Sequence, residues 1–237
     1  RKVGYLFQSY ALFPNMTVRK NIEVAGKNKC DIDSLIKDFY LEDVADKYPW
    51  ETSGGQQQRT ALARILASKP DILLLDEPFS AIDTHLRWQL EMTSSDIIEK
   101  FGSLYLMVTH DRGEAYRNCQ RICIINGGRT EGVLNKNDFI ERPQSAGAAR
   151  ISGCRNIFEF RKTEVENMIY VPALNAHLKI SKAAMDYKYI GIREHLIDFD
   201  GNENKIECRI ERVIDDIFST IIILRPIDGE NDILRAE

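Results

Sequence analysis

The run Ile72-Leu73-Leu74-Leu75-Asp76-Glu77-Pro78 constrains this chain more than any other stretch. Four apolar residues in a row, without alternation, mark a strand covered on both faces of a parallel sheet. The two acids that follow then sit at the C-terminal end of that strand, the edge where α/β sheets place their ligands. One carboxylate there can hold Mg²⁺, and its neighbour, aimed elsewhere, can orient or deprotonate a water. A lone Asp-Glu after a strand is usually a solvated loop; what surrounds this pair argues otherwise.

From Val3 to about Val133 the pattern alternates between helix and strand, as an α/β domain does. Leu35, Ile36, Phe39, Tyr40 and Val44 predict a helix over Asp31–Asp46. A second, over Gln56–Ser68, buries Leu62, Ile65 and Leu66 and stops before Lys69-Pro70. Leu86 to Lys100 suits a crossover helix and Leu104–Thr109 a second buried strand, with Arg121–Asn126 and Gly127-Gly128 as a third strand and its turn. A right-handed crossover returns Leu104–Thr109 parallel to Ile72–Leu75 and brings His110 to the same sheet edge as Glu77. From there its imidazole can donate to a terminal phosphate oxygen while it contacts the acid.

Thr52-Ser53-Gly54-Gly55-Gln56-Gln57-Gln58-Arg59 opens the second helix. Ser-Gly-Gly at a helix start exposes unpaired backbone N–H groups, adds a hydroxyl, and removes side chains that would block an anion. Alone, such a tripeptide is more often an ordinary N-cap. Its helix, however, leads directly into the strand that carries the acid pair.

Beyond Glu141-Arg142-Pro143 the style changes. Strand-like segments at Asn156–Lys162, Met168–Val171, Tyr189–Arg193, Ile206–Ile214 and Thr220–Leu224 follow one another with little helix, which predicts a separate small β-barrel or sandwich. The expected domains are therefore 1–142 and 150–237.

With 32 basic and 36 acidic residues interspersed, for a net charge of −4, the chain has no broad basic field for sequence-independent nucleic-acid binding. Its longest apolar runs fall far short of the ~20 residues that span a bilayer. Cysteines 30, 119, 123, 154 and 208 form no Cys-x-x-Cys pair and read as reduced thiols of a cytosolic protein. The start at Arg1, with neither initiator Met nor signal-like stretch, leads us to expect an upstream portion.

Phe7-Gln8, Ser53-Gly54-Gly55-Gln56, Leu75-Asp76-Glu77-Pro78, Ser80-Ala81-Ile82-Asp83 and His110 resemble, in order and at suitable spacing, the Q-loop, signature, Walker B, D-loop and H-loop of ABC transporter ATPases. The resemblance spans roughly the first 140 residues. It implies a P-loop NTPase fold of α/β class with a helical subdomain, incomplete here, and ATP and Mg²⁺ as ligands. It makes Asp76 the Mg²⁺ acid, Glu77 the catalytic base and His110 the γ-phosphate contact. Gln8 would touch Mg²⁺ or the attacking water and sense the membrane subunit. Asp83 would act across a dimer interface, and Ser53, Gly54, Gly55 and Gln56 would close on ATP held by the opposite protomer. The implied partners are a second copy arranged head to tail, transmembrane permease subunits and, indirectly, a substrate-binding protein. The implied location is cytoplasmic, peripheral on the inner face of the cell membrane. Such subunits meet the membrane protein through a helical segment between Gln8 and Ser53, so Asn15 to Tyr48 is the expected docking surface.

Two departures stand out. The signature opens with Thr52 where Leu is usual, which leaves Ser-Gly-Gly intact. No G-x-x-x-x-G-K-[ST] occurs, and Gly26-Lys27 lacks both the upstream Gly and the following Ser or Thr. Without the amide cradle and Lys of a P-loop, the chain as given is expected to bind ATP weakly and hydrolyse none.

A carboxy-terminal β domain resembles the TOBE, or OB-like, regulatory domains of importer ATPases. Leu75 through Leu90, Ile151 through Ile157 and Gly191 through His195 are most similar to the molybdate-type subgroup; sulfate, iron(III), polyamine or sugar import would leave similar traces. Arg193, Lys179 and Lys182 are candidate oxyanion donors, although solvated surface charge is the commoner fate of such residues. A DNA-repair or chromosome-structural ATPase shares the signature and Walker B, but the long heptad coiled coils of that class do not occur here.

Overall fold

The computed structural model describes residues 2–26, 31–102, 104–181, 186–227, 229 and 233–237. Lys27, Cys30 and Lys182 lie outside the described residues. The chain divides into two compact units, Arg1–Cys119 and Gln120–Glu237.

The first unit runs β1 (Val3–Leu6), α1 (Val18–Gly26), α2 (Ile32–Asp38), α3 (Gly54–Ala67), β2 (Ile72–Asp76), α4 (Thr84–Phe101), β3 (Leu104–Val108) and α5 (Arg112–Asn118). Its strands form one parallel sheet in the order β1-β2-β3, with Leu6 beside Leu75 and Asp76 beside Val108. One face carries Leu6, Leu73 and Leu75, buried in a core with Val18, Ile22, Leu62 and Leu66. Each such side chain contributes roughly 1.5–3 kcal/mol relative to exposure. β1 runs so close to α3 that a Cβ on Gly4 would lie 2.7 Å from Ile65 Cγ2.

The other face differs from expectation. Val3 and Tyr5 on β1 and Leu104, Leu106 and Val108 on β3 are exposed, at 70% for Leu104, and Ile72 and Leu74 are half-buried. An unbroken apolar run signals a strand able to be covered twice; here, among the described residues, the covering is on one side.

The helix expected over Asp31–Asp46 stops at Asp38. Asp31 caps it by accepting from Ser34 N at 3.1 Å, and Tyr40 turns left-handed at φ 50 before a 3-10 turn at Glu42–Val44. The cause lies in α3, where the Arg59 guanidinium donates to the carbonyls of Phe39 and Tyr40 at 2.9 and 2.6 Å. Phe39, Leu41 and Val44 are all buried, which is why the spacing still looked helical.

The second unit opens with the hairpin β4 (Arg121–Asn126) and β5 (Arg129–Asn135), followed by α6 (Lys136–Glu141) and α7 (Ala146–Ile151). Arg121–Asn126 is thus a strand, but it pairs antiparallel with β5 and takes no place in the parallel sheet. Then come β6 (Asn156–Glu159), β7 (Arg161–Lys162), β8 (Met168–Val171), β9 (Ala176–Lys179), β10 (Tyr189–Ile192), β11 (Cys208–Asp215), β12 (Thr220–Pro226) and β13 (Leu234–Ala236). They form open sheets ordered β10-β6, β7-β8-β9 and β11-β12-β13, and among the described residues these do not close into a barrel. Phe158, Ile169, Val171, Leu178, Leu224 and Leu234 draw all three sheets onto one core.

Candidate active site

The parallel register sets the site. Because Leu6 pairs with Leu75 and Asp76 with Val108, the residues that follow each strand leave the sheet at one edge: Phe7-Gln8, Glu77, and Thr109-His110. Glu77 takes a left-handed backbone, φ 46, which costs a non-glycine residue on the order of 1–3 kcal/mol. Hydrogen bonds hold it there. Its N–H donates to Val108 O at 2.9 Å, and its carbonyl accepts from Gln58 Nε2 at 2.9 Å and from Ser80 Oγ at 3.1 Å. The turned backbone brings Glu77 Oε1 to 2.9 Å from His110 Nδ1.

That contact raises the His110 pKa above the usual imidazole value, first through the hydrogen bond and then through the charge of Glu77, with Glu114 and Asp111 adding to it. A raised value means the folded chain favours imidazolium. The stabilisation is complete below the unfolded-state pKa and is lost as pH rises through the folded one. We expect an NMR titration of the His110 ring to give a midpoint above that of an unstructured histidine, and Glu77→Gln to lower it. An identical midpoint in the variant would show that the two side chains do not meet in solution.

Behind His110 lies a polar network that sequence reading missed. Thr109 Oγ1 donates to Glu114 Oε2 at 2.6 Å and accepts from Asp111 N at 3.0 Å. Asp111 caps α5 by accepting from the N–H groups of Gly113 and Glu114. Burial pushes the Glu114 carboxyl up. Glu91 on α4, fully buried, accepts from Arg117 Nε and Nη2 at 2.8 and 3.0 Å and from Asn118 Nδ2 at 3.2 Å.

At the start of α3, Ser53 Oγ accepts from Gln56 N at 3.3 Å while Gln56 Oε1 accepts from Ser53 N at 2.9 Å, a reciprocal capping box. The two glycines do different things. A Cβ on Gly54 would meet nothing within 4 Å, so this position leaves an open approach to the helix end. A Cβ on Gly55 would lie 2.9 Å from Ala81 O, so the absent side chain lets α3 pack on the loop before α4.

The side chain of Asp76, half-buried at the end of β2, has no hydrogen-bond or ion-pair partner among the described residues. An unpartnered carboxylate at a strand end suits Mg²⁺, which takes one or two carboxylates and completes its shell with water and phosphate oxygens. Gln8 is exposed in the turn after β1. Asp83 occupies the N-cap of α4 without a side-chain cap bond. The parallel edge therefore gathers Gln8, Asp76, Glu77 and His110, whereas Ser53 to Gln56 and Asp83 lie on α3 and at the start of α4. Gln58 and Arg59 are polar residues buried on a helix whose inner face is Leu62, Ile65 and Leu66. Their place one turn ahead of that stripe was the signal that could have marked them.

In the second unit, Arg193 is not free to bind an anion. Its guanidinium donates to the carbonyl of Ile140 and to Ser152 O and Oγ at 3.3 and 3.1 Å, which ties β10 to α6 and α7. The Lys179 backbone pairs with the Asn204 amide at 2.7 and 3.1 Å.

Residues 1–80 match the family model described as ABC transporter. The dimeric, post-hydrolysis structure of the ATP-binding cassette MJ0796 bound to ADP and Pi is 31% identical, with a TM-score of 0.52, over 57% of this chain and 63% of that one. Residues 1–80 thus match the ABC transporter family, and the chain is similar in sequence and α/β fold to an ATP-binding cassette. Its curated relatives are import and transport ATP-binding proteins. The sulfate/thiosulfate import protein CysA of Mesostigma viride is 34% identical over 90% of this chain and 63% of its own length. The putrescine transport protein PotG of Escherichia coli K12 is 40% identical over 67% of this chain and 44% of its own length. The Fe(3+) import protein FbpC of Fusobacterium nucleatum is 36% identical over 67% of this chain and 45% of its own length. The chain thus spans about half the length of the curated relatives it matches.

Proposed function

We propose that this chain carries the catalytic-acid and signature portions of the ATP-hydrolysing subunit of an ABC importer. The contact between His110 Nδ1 and Glu77 Oε1, at 2.9 Å on the C-terminal edge of three parallel strands, carries this reading. In it, Glu77 takes the proton of the attacking water and His110 donates to the terminal phosphate oxygen. Asp76 and Gln8 would hold Mg²⁺, which when bound would neutralise charge developing on the phosphates. Ser53, Gly54, Gly55 and Gln56 present helix N–H groups to the ATP of a second, head-to-tail copy, and Asp83 faces the same interface. No P-loop sequence occurs among these 237 residues, and without one they hydrolyse no ATP by themselves.

Residues 1–142 form the ATPase domain and 150–237 an OB- or TOBE-like regulatory domain. Asn15 to Tyr48 dock on transmembrane permease subunits, which a substrate-binding protein supplies, and the subunit sits on the cytoplasmic face of the membrane. No described helix is long and apolar enough to cross a membrane. The cargo is molybdate or a related oxyanion. A sulfate/thiosulfate relative aligned over 90% of this chain supports an oxyanion; a spermidine/putrescine relative aligned over the same share, with others named for putrescine and Fe(3+), supports polyamine or iron import as the second reading.

Calorimetric titration of the 237-residue chain separates the two. With oxyanion sensing, molybdate, tungstate or sulfate gives saturable heat and spermidine gives none. Heat from spermidine alone would move the chain to the polyamine group.

A further inference from the structure

Gln58 lies one turn past the cap of α3 and is 1% exposed. A buried amide needs partners for both ends, and this one finds both on the catalytic loop. Nε2 donates to the carbonyl of Glu77 at 2.9 Å and reaches Ser80 Oγ at 3.4 Å. Oε1 accepts from the N–H of Ala81 at 2.9 Å. Both main partners are backbone atoms, one on the residue that bears the proposed base and the other in the loop leading to Asp83.

Glu77 stands in a left-handed backbone that no side chain of its type prefers. Its φ and ψ set the direction of its Cα–Cβ bond, and so whether Oε1 meets His110. Val108 O fixes the N–H of Glu77. The N–H and hydroxyl of exposed Ser80 also reach its carbonyl, at 3.3 and 3.1 Å, but Gln58, at 2.9 Å, is the shortest of the three and comes from a buried side chain. The same amide, through Ala81, suspends the loop against which Gly55 packs without a Cβ.

We infer that Gln58 is a positioning residue for hydrolysis: its amide holds the Glu77 peptide and the Ala81 loop in one arrangement, which fixes the start of α3 against the loop that bears the proposed base. This inference rests on the function proposed above. It adds a coupling within one protomer, between the helix end that serves a neighbour's nucleotide and the acid that serves its own.

The test uses the full-length subunit and its permease partners. Gln58→Leu removes both hydrogen bonds and is expected to lower kcat about tenfold while leaving KM for ATP within about twofold. Gln58→Glu is the discriminating variant. Protonated, its carboxylic acid is the shape of the amide and donates to the Glu77 carbonyl; ionised, it cannot donate. Its kcat, divided by that of the parent, should therefore be near one at acidic pH and fall as pH rises, whereas the Gln58→Leu ratio stays low and flat. If Gln58→Leu does not fold, the Gln58→Glu profile decides alone. A flat Gln58→Glu ratio, or parental kcat in a folded Gln58→Leu, overturns the inference. Failure of the underlying reading looks different: the parent itself would not hydrolyse ATP, or Glu77→Gln would turn over at the parental rate.

Discussion

Glu77→Gln, introduced into the full-length subunit, should bind Mg-ATP with near-parental affinity and lose about a thousandfold in turnover. The amide keeps the size of the carboxylate and still reaches His110, but it accepts no proton from water. The Asp76 carboxylate, the proposed cation ligand, is untouched, so cation and nucleotide binding are expected to persist. Because binding survives while product formation stops, the variant should accumulate as a nucleotide-filled dimer, visible as a doubling of mass in light scattering with ATP. Parental turnover would remove Glu77 from the role of base; weakened ATP binding at equal turnover would make it a ligand instead.

The second large effect concerns stability. Arg117→Ala leaves the Glu91 carboxylate, fully buried, with Asn118 as its only remaining side-chain donor among the described residues. Breaking a buried pair from one side is costly because the stranded charge stays desolvated. Arg117 is itself 39% exposed, which screens part of the pair. We expect a loss of about 2 kcal/mol in unfolding free energy, read as a lower urea midpoint at unchanged slope. Adding Glu91→Met should recover most of it, since an apolar side chain fills the same space without a charge. A single variant as stable as the parent would mean that the pair contributes nothing.

The placement of the candidate residues was legible because they lie at ends of elements with strong signals. The acid pair follows an apolar strand and His110 follows the next, so parallel pairing alone sends both to one edge. Ser53 caps α3, as a Ser-Gly-Gly at a helix start commonly does, and Gln56 closes the box from the other side. What the sequence hid depends on partners distant along the chain. Tyr40 leaves the helical path because Arg59, 19 residues on, takes its carbonyl. Arg193 looked like a free cation, yet its donors go to Ile140 and Ser152, a pairing no local pattern encodes. Leu104 and Leu106 show that an apolar run fixes what a strand can tolerate, not how many layers cover it.

The backbone at Glu77 has a consequence for engineering. At φ 46, glycine or asparagine would sit there with less strain than glutamate. A library screened for heat resistance alone would therefore drift away from glutamate at this position and lose the base proposed above while improving the fold. On the proposed role, durability and turnover are opposed at this one torsion, so a thermostabilisation campaign should hold residue 77 constant and seek its gains elsewhere.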